Sequence, residues 1–397
     1  MLFRFSTLRR IPSGVWVVGS VSLLMDISSE MIHSLLPLFM ATTLGASVVV
    51  IGLIEGLAEA TALMVKVFSG AISDWLGKRK GLALLGYGLG ALSKPLFAIA
   101  STSGMVLTAR LTDRLGKGIR GAPRDALVAD ITPPELRGAA FGLRQSLDTV
   151  GAFIGPLLAV GLMLLWHDDF RSIFWVAVIP GLLAVALLFF GLHEPQKPLE
   201  HKRTNPISRK NLRRLGKPIW WVITLGGIFT LARFSEAFLV LKALEADIPL
   251  ALIPLVMVAM NLLYSFSAYP FGKLSDHMSH RHLLQLGLIT LIAADIVLAV
   301  STHWVGVLVG VALWGVHMGM TQGLLAAMIA DSSPSDLRGT AYGIFSLVSG
   351  IALLLASIGA GILWDLWGSE STFIAGAMIC LITLLYLRWM PGQQMMP

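Results

Sequence analysis

Apolar runs of roughly 20 residues, each long enough to cross about 30 Å of hydrocarbon, recur along this chain between short polar turns. We place them near 14–40, 48–71, 81–100, 104–129, 138–165, 171–192, 219–242, 251–272, 283–301, 304–330, 338–363 and 372–390. A backbone in lipid has to satisfy its own hydrogen bonds, so each run reads as a helix. The expected fold is all-α and integral to the membrane, with 12 transmembrane helices. Composition agrees: 55% of residues are hydrophobic and 13% charged, where soluble domains carry about 25% charged residues. The single cysteine, Cys380, excludes a disulfide framework and a thiolate metal cluster. Met1 to Arg10 is a short basic tail, and the apolar run after it is too long for a cleaved leader.

Lys and Arg gather on one side of this pattern. Arg4, Arg9, Arg10, Lys78, Arg79, Lys80, Arg137, Arg281 and Arg338 fall there, whereas the opposite turns, such as Thr42 to Ser47 and Ser101 to Gly104, carry almost none. The segment 193–218 is strongly basic. Both termini and this linker are therefore expected on the cytoplasmic side of a cell inner membrane. The net charge of +7 is topological and lipid-facing, and its distribution excludes a nucleic-acid partner.

The two halves repeat. Ala129 to Gly142 (ADITPPELRGAAFG) aligns with Ala330 to Gly343 (ADSSPSDLRGTAYG), and Gly70 to Lys80 (GAISDWLGKRK) with Gly272 to His282 (GKLSDHMSHRH). Two pairs in one register imply two bundles of six helices: an N-terminal bundle over 1–192, the linker 193–218, and a C-terminal bundle over 219–397. A substrate path is expected between such repeats.

Charge is distributed unequally between them. The fourth run carries Arg110, Asp113, Arg114, Lys117, Arg120, Arg124 and Asp125, while its counterpart has Trp314, Gly315 and Met318 where Asp113, Arg114 and Lys117 stand. Charge at membrane depth costs several kcal/mol unless paired, and it marks a functional pathway. Asp26, Glu30 and His33 share one helical face, as do Arg144 and Asp148. Glu55, Glu59, Lys66, Arg110 and Arg124 read as pairs that hold the bundle together. Asp26, Glu30, His33, Asp113, Arg114 and Lys117 read as cavity residues. In the other half Arg233, Glu236 and His317 are candidates, and His317 reads equally well as a packing residue.

These motifs resemble the major facilitator superfamily along the whole chain. Gly70, Asp74, Gly77, Lys78 and Arg79 match its loop signature between the second and third helices, and Asp276 repeats the acid in the second half. The resemblance implies a gate there. Arg114-Leu-Gly-Lys117-Gly118-Ile-Arg120 resembles a fourth-helix motif implicated in proton coupling, with Lys117 and Arg120 as departures. Gly151, Gly155 and Pro156 resemble the fifth-helix Gly-x-x-x-Gly-Pro motif of antiporters, which would offer a smooth face to the interface between halves. MDISSEMIHSLLP and LRQSLDTVGAFIGP are similar to the superfamily's nickel-resistance exporters, although the tail PGQQMMP lacks their histidines.

The chain is thus expected to be a monomeric, proton-coupled antiporter, without cofactor, that exports a divalent metal such as nickel or cobalt. Asp26, Glu30 and His33 are its candidate metal ligands, because carboxylate and imidazole suit such ions. The alternative is export of a drug or organic anion, for which Arg114, Lys117, Arg144 and Arg233 would be ligands. A membrane receptor or enzyme is disfavoured, since no nucleophile–base pair or phosphate-cradling loop is present.

Overall fold

The computed structural model describes residues 10–76, 79–193, 215–275, 278–334 and 337–388. They form helices α1 (Ser13–His33), α2 (Val48–Leu76), α3 (Arg79–Ile99), α4 (Ser103–Ile131), α5 (Arg137–Leu165), α6 (Phe170–Gly191), α7 (Lys217–Leu231), α8 (Ala237–Glu245), α9 (Leu255–Ser275), α10 (His280–Val300), α11 (Trp304–Ser332), α12 (Arg338–Trp367) and α13 (Ser369–Arg388). No strand occurs among the described residues, so the all-α expectation holds.

The count of apolar spans differs from the expected 12. Ten helices among the described residues are long and apolar enough to cross a membrane. Two expected spans fall short, and each has a physical reason. The 29-residue α4 carries too many ionised groups. The seventh span is broken: α7 ends at Leu231, residues 232–236 leave the helix, and α8 resumes at Ala237. Arg233 and Glu236 lie in that break. The first span is also interrupted, at a turn after His33, and continues through Leu36–Leu38 into a π-helical turn, Phe39–Thr43.

The chain divides into two compact units, Met1–Leu36 with Met64–Thr204, and Pro37–Leu63 with Asn205–Pro397. The division after Thr204 falls inside the expected linker, but residues 37–63, expected in the N-terminal bundle, group with the second unit. That grouping has visible causes. A Cβ on Gly52 would come 2.2 Å from the Ser357 carbonyl oxygen of α12, so glycine permits backbone contact there. The backbone N–H groups of Val48 and Val49, the first two residues of α2, donate to Asp365 Oδ1 and Oδ2 at 3.0 and 2.9 Å. A carboxylate on two unpaired donors at a helix start is a favourable cap and also suits the helix dipole.

In the first unit, α3 and α4 meet along glycines. A Cβ on Gly116 would lie 2.5 Å from Gly86 O, and one on Gly86 would lie 2.7 Å from Arg120 N. The α10–α11 pair of the second unit has the same register, 201 residues on: a Cβ on Gly287 would meet Thr321 Cγ2 at 2.4 Å. Helices in lipid gain little from hydrophobic association, so small residues that let backbones touch set the packing.

Replacing Asp365 by Ala is expected to lower stability by about 1 kcal/mol, read as a lower melting temperature in detergent. An unchanged melting temperature would show that the α2 cap contributes nothing.

Candidate functional site

The backbone contact between α3 and α4 places a lysine and an aspartate against one another inside the first unit. Lys94 is fully buried, and its Nζ donates to Asp113 Oδ1 at 2.7 Å and to Ser29 Oγ at 2.9 Å. The carboxylate of Asp113 has further neighbours. Ser93 Oγ is 3.4 Å from Oδ1, while His33 Nε2 and Arg114 Nε stand 3.3 and 3.9 Å from Oδ2. On the other edge of the imidazole, Arg114 Nη2 donates to Nδ1 at 3.3 Å, and Glu30 Oε1 is 3.6 Å away. One acid on α4 therefore gathers groups from α1, α3 and its own helix.

A second network lies one to three turns further along α4. Arg124 Nε donates to Asp125 Oδ1 at 3.1 Å, and Arg144 Nε is 3.7 Å from the same oxygen. Asp148 Oδ2 accepts from Arg144 Nη1 and stands 3.9 Å from Arg124 Nη1. Arg124 Nη1 also reaches Ser22 Oγ at 3.5 Å, whose hydroxyl is 3.0 Å from that of Tyr87. The Arg120 guanidinium covers the Tyr87 ring, 4.8 Å from its centre, as a cation–π contact. Asp26 is within electrostatic range of Asp148, Arg120, Lys117 and Glu30, and so lies between the two networks.

The fifth-helix glycine motif acts within this unit. A Cβ on Gly151 would meet Leu23 O at 2.6 Å and Asp26 Cβ at 3.0 Å, and one on Gly155 would meet Glu30 Cβ at 2.8 Å. Gly151 and Gly155 therefore pack α5 on α1. Their role is to seat the helix that carries Asp26 and Glu30.

In the second unit, Arg233 lies over the Phe229 ring at 5.8 Å, and Phe229 packs on the His317 ring at 5.4 Å. Buried His317 donates from Nδ1 to the Gly287 carbonyl at 2.8 Å. A carbonyl only accepts, so this bond settles which nitrogen holds the hydrogen. Arg233, Glu236 and Tyr264 are electrostatic neighbours, and Tyr264 donates to Gln322 Oε1 at 3.0 Å.

The gate residues are described in part. Gly77, Lys78 and Asp276 lie outside the described residues, as does the side chain of Asp74. Gly70 faces Ala122 of α4, where a Cβ would be at 3.4 Å, and Arg79 Nε pairs with Asp130 Oδ2 at 3.0 Å.

Sequence reading passes over Ser29, Ser22 and Tyr87, because hydroxyls leave no charge signal in an apolar run. It also passes over Asp295, a buried acid on α10. The repeat offset would find it, since Asp295 stands 201 residues after Lys94.

A family model, Major Facilitator Superfamily, matches residues 18–244 and 225–395. The chain is 34% identical over 386 residues to an uncharacterized MFS-type transporter of Methanocaldococcus jannaschii, covering 96% of this chain and 95% of that one. It is 26% identical over 373 residues to the multidrug resistance protein MdtH of Escherichia coli, covering 88% and 87%. Among solved structures, a POT family transporter in complex with 5-aminolevulinic acid superposes with a TM-score of 0.79 at 14% identity, covering 95% and 96%; this likeness concerns the fold alone.

Removing one member of a buried ion pair leaves the other uncompensated, at a cost of about 3–5 kcal/mol. Lys94→Ala is expected to destabilise the protein on that scale, and Lys94→Met with Asp113→Leu to recover most of the loss. Simple additivity of the single losses in chemical denaturation would show that the two groups are not coupled.

Proposed function

We propose a solute and a driving ion for this chain, which belongs to the major facilitator superfamily: a small organic anion or anionic drug, moved with proton coupling across a cell inner membrane. The family makes it a multi-pass membrane transporter of small solutes, not an enzyme.

One observation carries the choice of solute. Along α1 to α5, Lys66, Lys94, Arg110, Arg114, Lys117, Arg120, Arg124 and Arg144 stand with Asp26, Glu30, Glu55, Glu59, Asp113, Asp125 and Asp148, and five of the basic groups, Arg110, Arg114, Lys117, Arg120 and Arg124, are gathered on α4. Basic groups concentrated on one helix give a local positive field, which attracts an anion and repels a divalent cation. Guanidinium groups also suit carboxylate, sulfonate and phosphonate geometry.

The nickel or cobalt reading has less support. Both ring nitrogens of His33 already face protein groups, Arg114 and Glu30 on one edge and Asp113 on the other. A metal ligand needs an open lone pair, and the cations Lys94, Arg110 and Arg114 crowd Asp113 and His33. No group of three or more His, Cys, Asp and Glu side chains suited to a metal ion stands among the described residues. The multidrug-resistance name of one relative fits an organic solute better than an ion.

The sign of the coupling follows from the charges. Protonating Asp26 removes a negative neighbour of Lys117 and Arg120, and protonating Glu30 removes one of Lys117 and Arg114, which strengthens binding of an anion. Proton and anion then bind together, and cotransport is the outcome for an anionic solute. The antiport expected from the fifth-helix motif would require protons to compete with the solute, as they would with a cation. We place both termini on the cytoplasmic side from the lysine and arginine distribution, with the monomer as the transporting unit.

Proteoliposomes test this with a fluorescent carboxylate dye. An acidic exterior is expected to drive dye inward, a protonophore to abolish the effect, and Arg114→Gln to reduce the initial rate by about tenfold, equivalent to ~1.4 kcal/mol. Glu30→Gln should keep downhill dye exchange and lose the response to the gradient. Nickel uptake without dye transport would overturn the solute class, and dye driven outward by the same gradient would restore exchange.

A further inference from the structure

Asp295 is an acid without a described partner in the interior of a membrane helix. It is fully buried on α10, and neither carboxyl oxygen has a hydrogen-bond donor among the described residues. Its space is made by a glycine: a Cβ on Gly376 of α13 would lie 2.7 Å from Asp295 Oδ2 and 3.3 Å from Phe234 Cε1. Phe234 belongs to the break at 232–236, between Arg233 and Glu236, and packs on Trp314 at 5.4 Å and Phe373 at 5.6 Å. The carboxyl and the break therefore share one knot of packing.

The repeat sharpens what is unusual here. With the 201-residue offset that superposes Gly86–Arg120 on Gly287–Thr321, Asp295 takes the station of Lys94 and Trp314 that of Asp113. In the first unit those stations hold a 2.7 Å ion pair. In the second they hold an acid without a described donor and an indole whose Nε1–H has no described acceptor. A carboxylate in such a place costs several kcal/mol if ionised and unpaired, whereas the neutral acid does not carry that penalty.

Charged and titratable groups on the surrounding elements are few. The break contributes Arg233 and Glu236, α11 contributes His317, and α13 contributes Cys380 and, at its start, Glu370. On α10 itself His280, Arg281 and His282 are at the opposite end, about 20 Å away at 1.5 Å per residue.

We propose that Asp295 is a proton-binding site of the second unit, loaded as the neutral acid in this arrangement and discharged when movement of the 232–236 break brings Arg233 or the Trp314 indole N–H to it. The site rests on the proton-coupled reading above only for what the proton drives; proton binding itself is read without any solute. The break is suited to the task because its residues make only three-residue turn bonds at either end, such as Arg233 N–H to Thr230 O at 3.0 Å and Leu239 N–H to Glu236 O at 3.0 Å, and no continuous α-helical ladder.

Infrared spectra of the purified protein in lipid vesicles, taken over a pH series, test the assignment with the proton as sole probe. The wild type is expected to show a protonated-carboxyl stretch at neutral pH that falls as pH is raised, and Asp295→Asn to lack that component. Dicyclohexylcarbodiimide, which attacks protonated carboxyls in apolar surroundings, is expected to label the Asp295 peptide of the wild type, so the test does not depend on a variant that folds. A band unchanged in Asp295→Asn, a band that fails to titrate, or no label on that peptide would overturn the proposal. If the band titrates while dye transport ignores the pH gradient, Asp295 stands as a proton site and the coupling reading above fails instead.

Discussion

Charge cannot stand alone in a helix bundle that lipid surrounds, and much of the first unit follows from that constraint. Asp113 collects Lys94, His33 and Arg114; Asp148 and Asp125 collect Arg124 and Arg144. Each pairing needs two helices at a fixed distance and register. Glycines provide it, Gly86 and Gly116 between α3 and α4, and Gly151 and Gly155 between α5 and α1. The small residues and the charges are thus two halves of one requirement: the former bring backbones close enough for the latter to meet.

The same constraint explains why two expected spans look least like membrane helices. An ordinary apolar span announces itself by composition. The fourth and seventh do not, one because its ions are neutralised by neighbours on other helices, the other because its polar residues sit where the helix stops.

Span positions, the repeat and the candidate status of Asp113 and Arg114 were legible in the sequence, because length, register and sign of charge are local properties. The partners were not. Nothing in the spacing of Lys94 and Asp113 says that a glycine contact two turns away will bring them to 2.7 Å. The fifth-helix glycines read as a packing face, but their α1 partner is not legible, since a Gly-x-x-x-Gly pattern specifies closeness and not the helix approached. The break at 232–236 lay inside a run that hydropathy treats as continuous, and Asp295 was hidden by the apolar residues on either side of it.

The shared register of Gly86 with Arg120 and Gly287 with Thr321 has a consequence for how such a chain can change. A helix pair held by backbone contact keeps its geometry whatever side chain is mounted a turn or two away. Lysine in one copy and aspartate in the other occupy equivalent mounts, so a reversal of electrical sign needed no new architecture. The duplicated pair behaves as a socket with a fixed bore, and what is fitted into it has changed sign while the helices stay where they are.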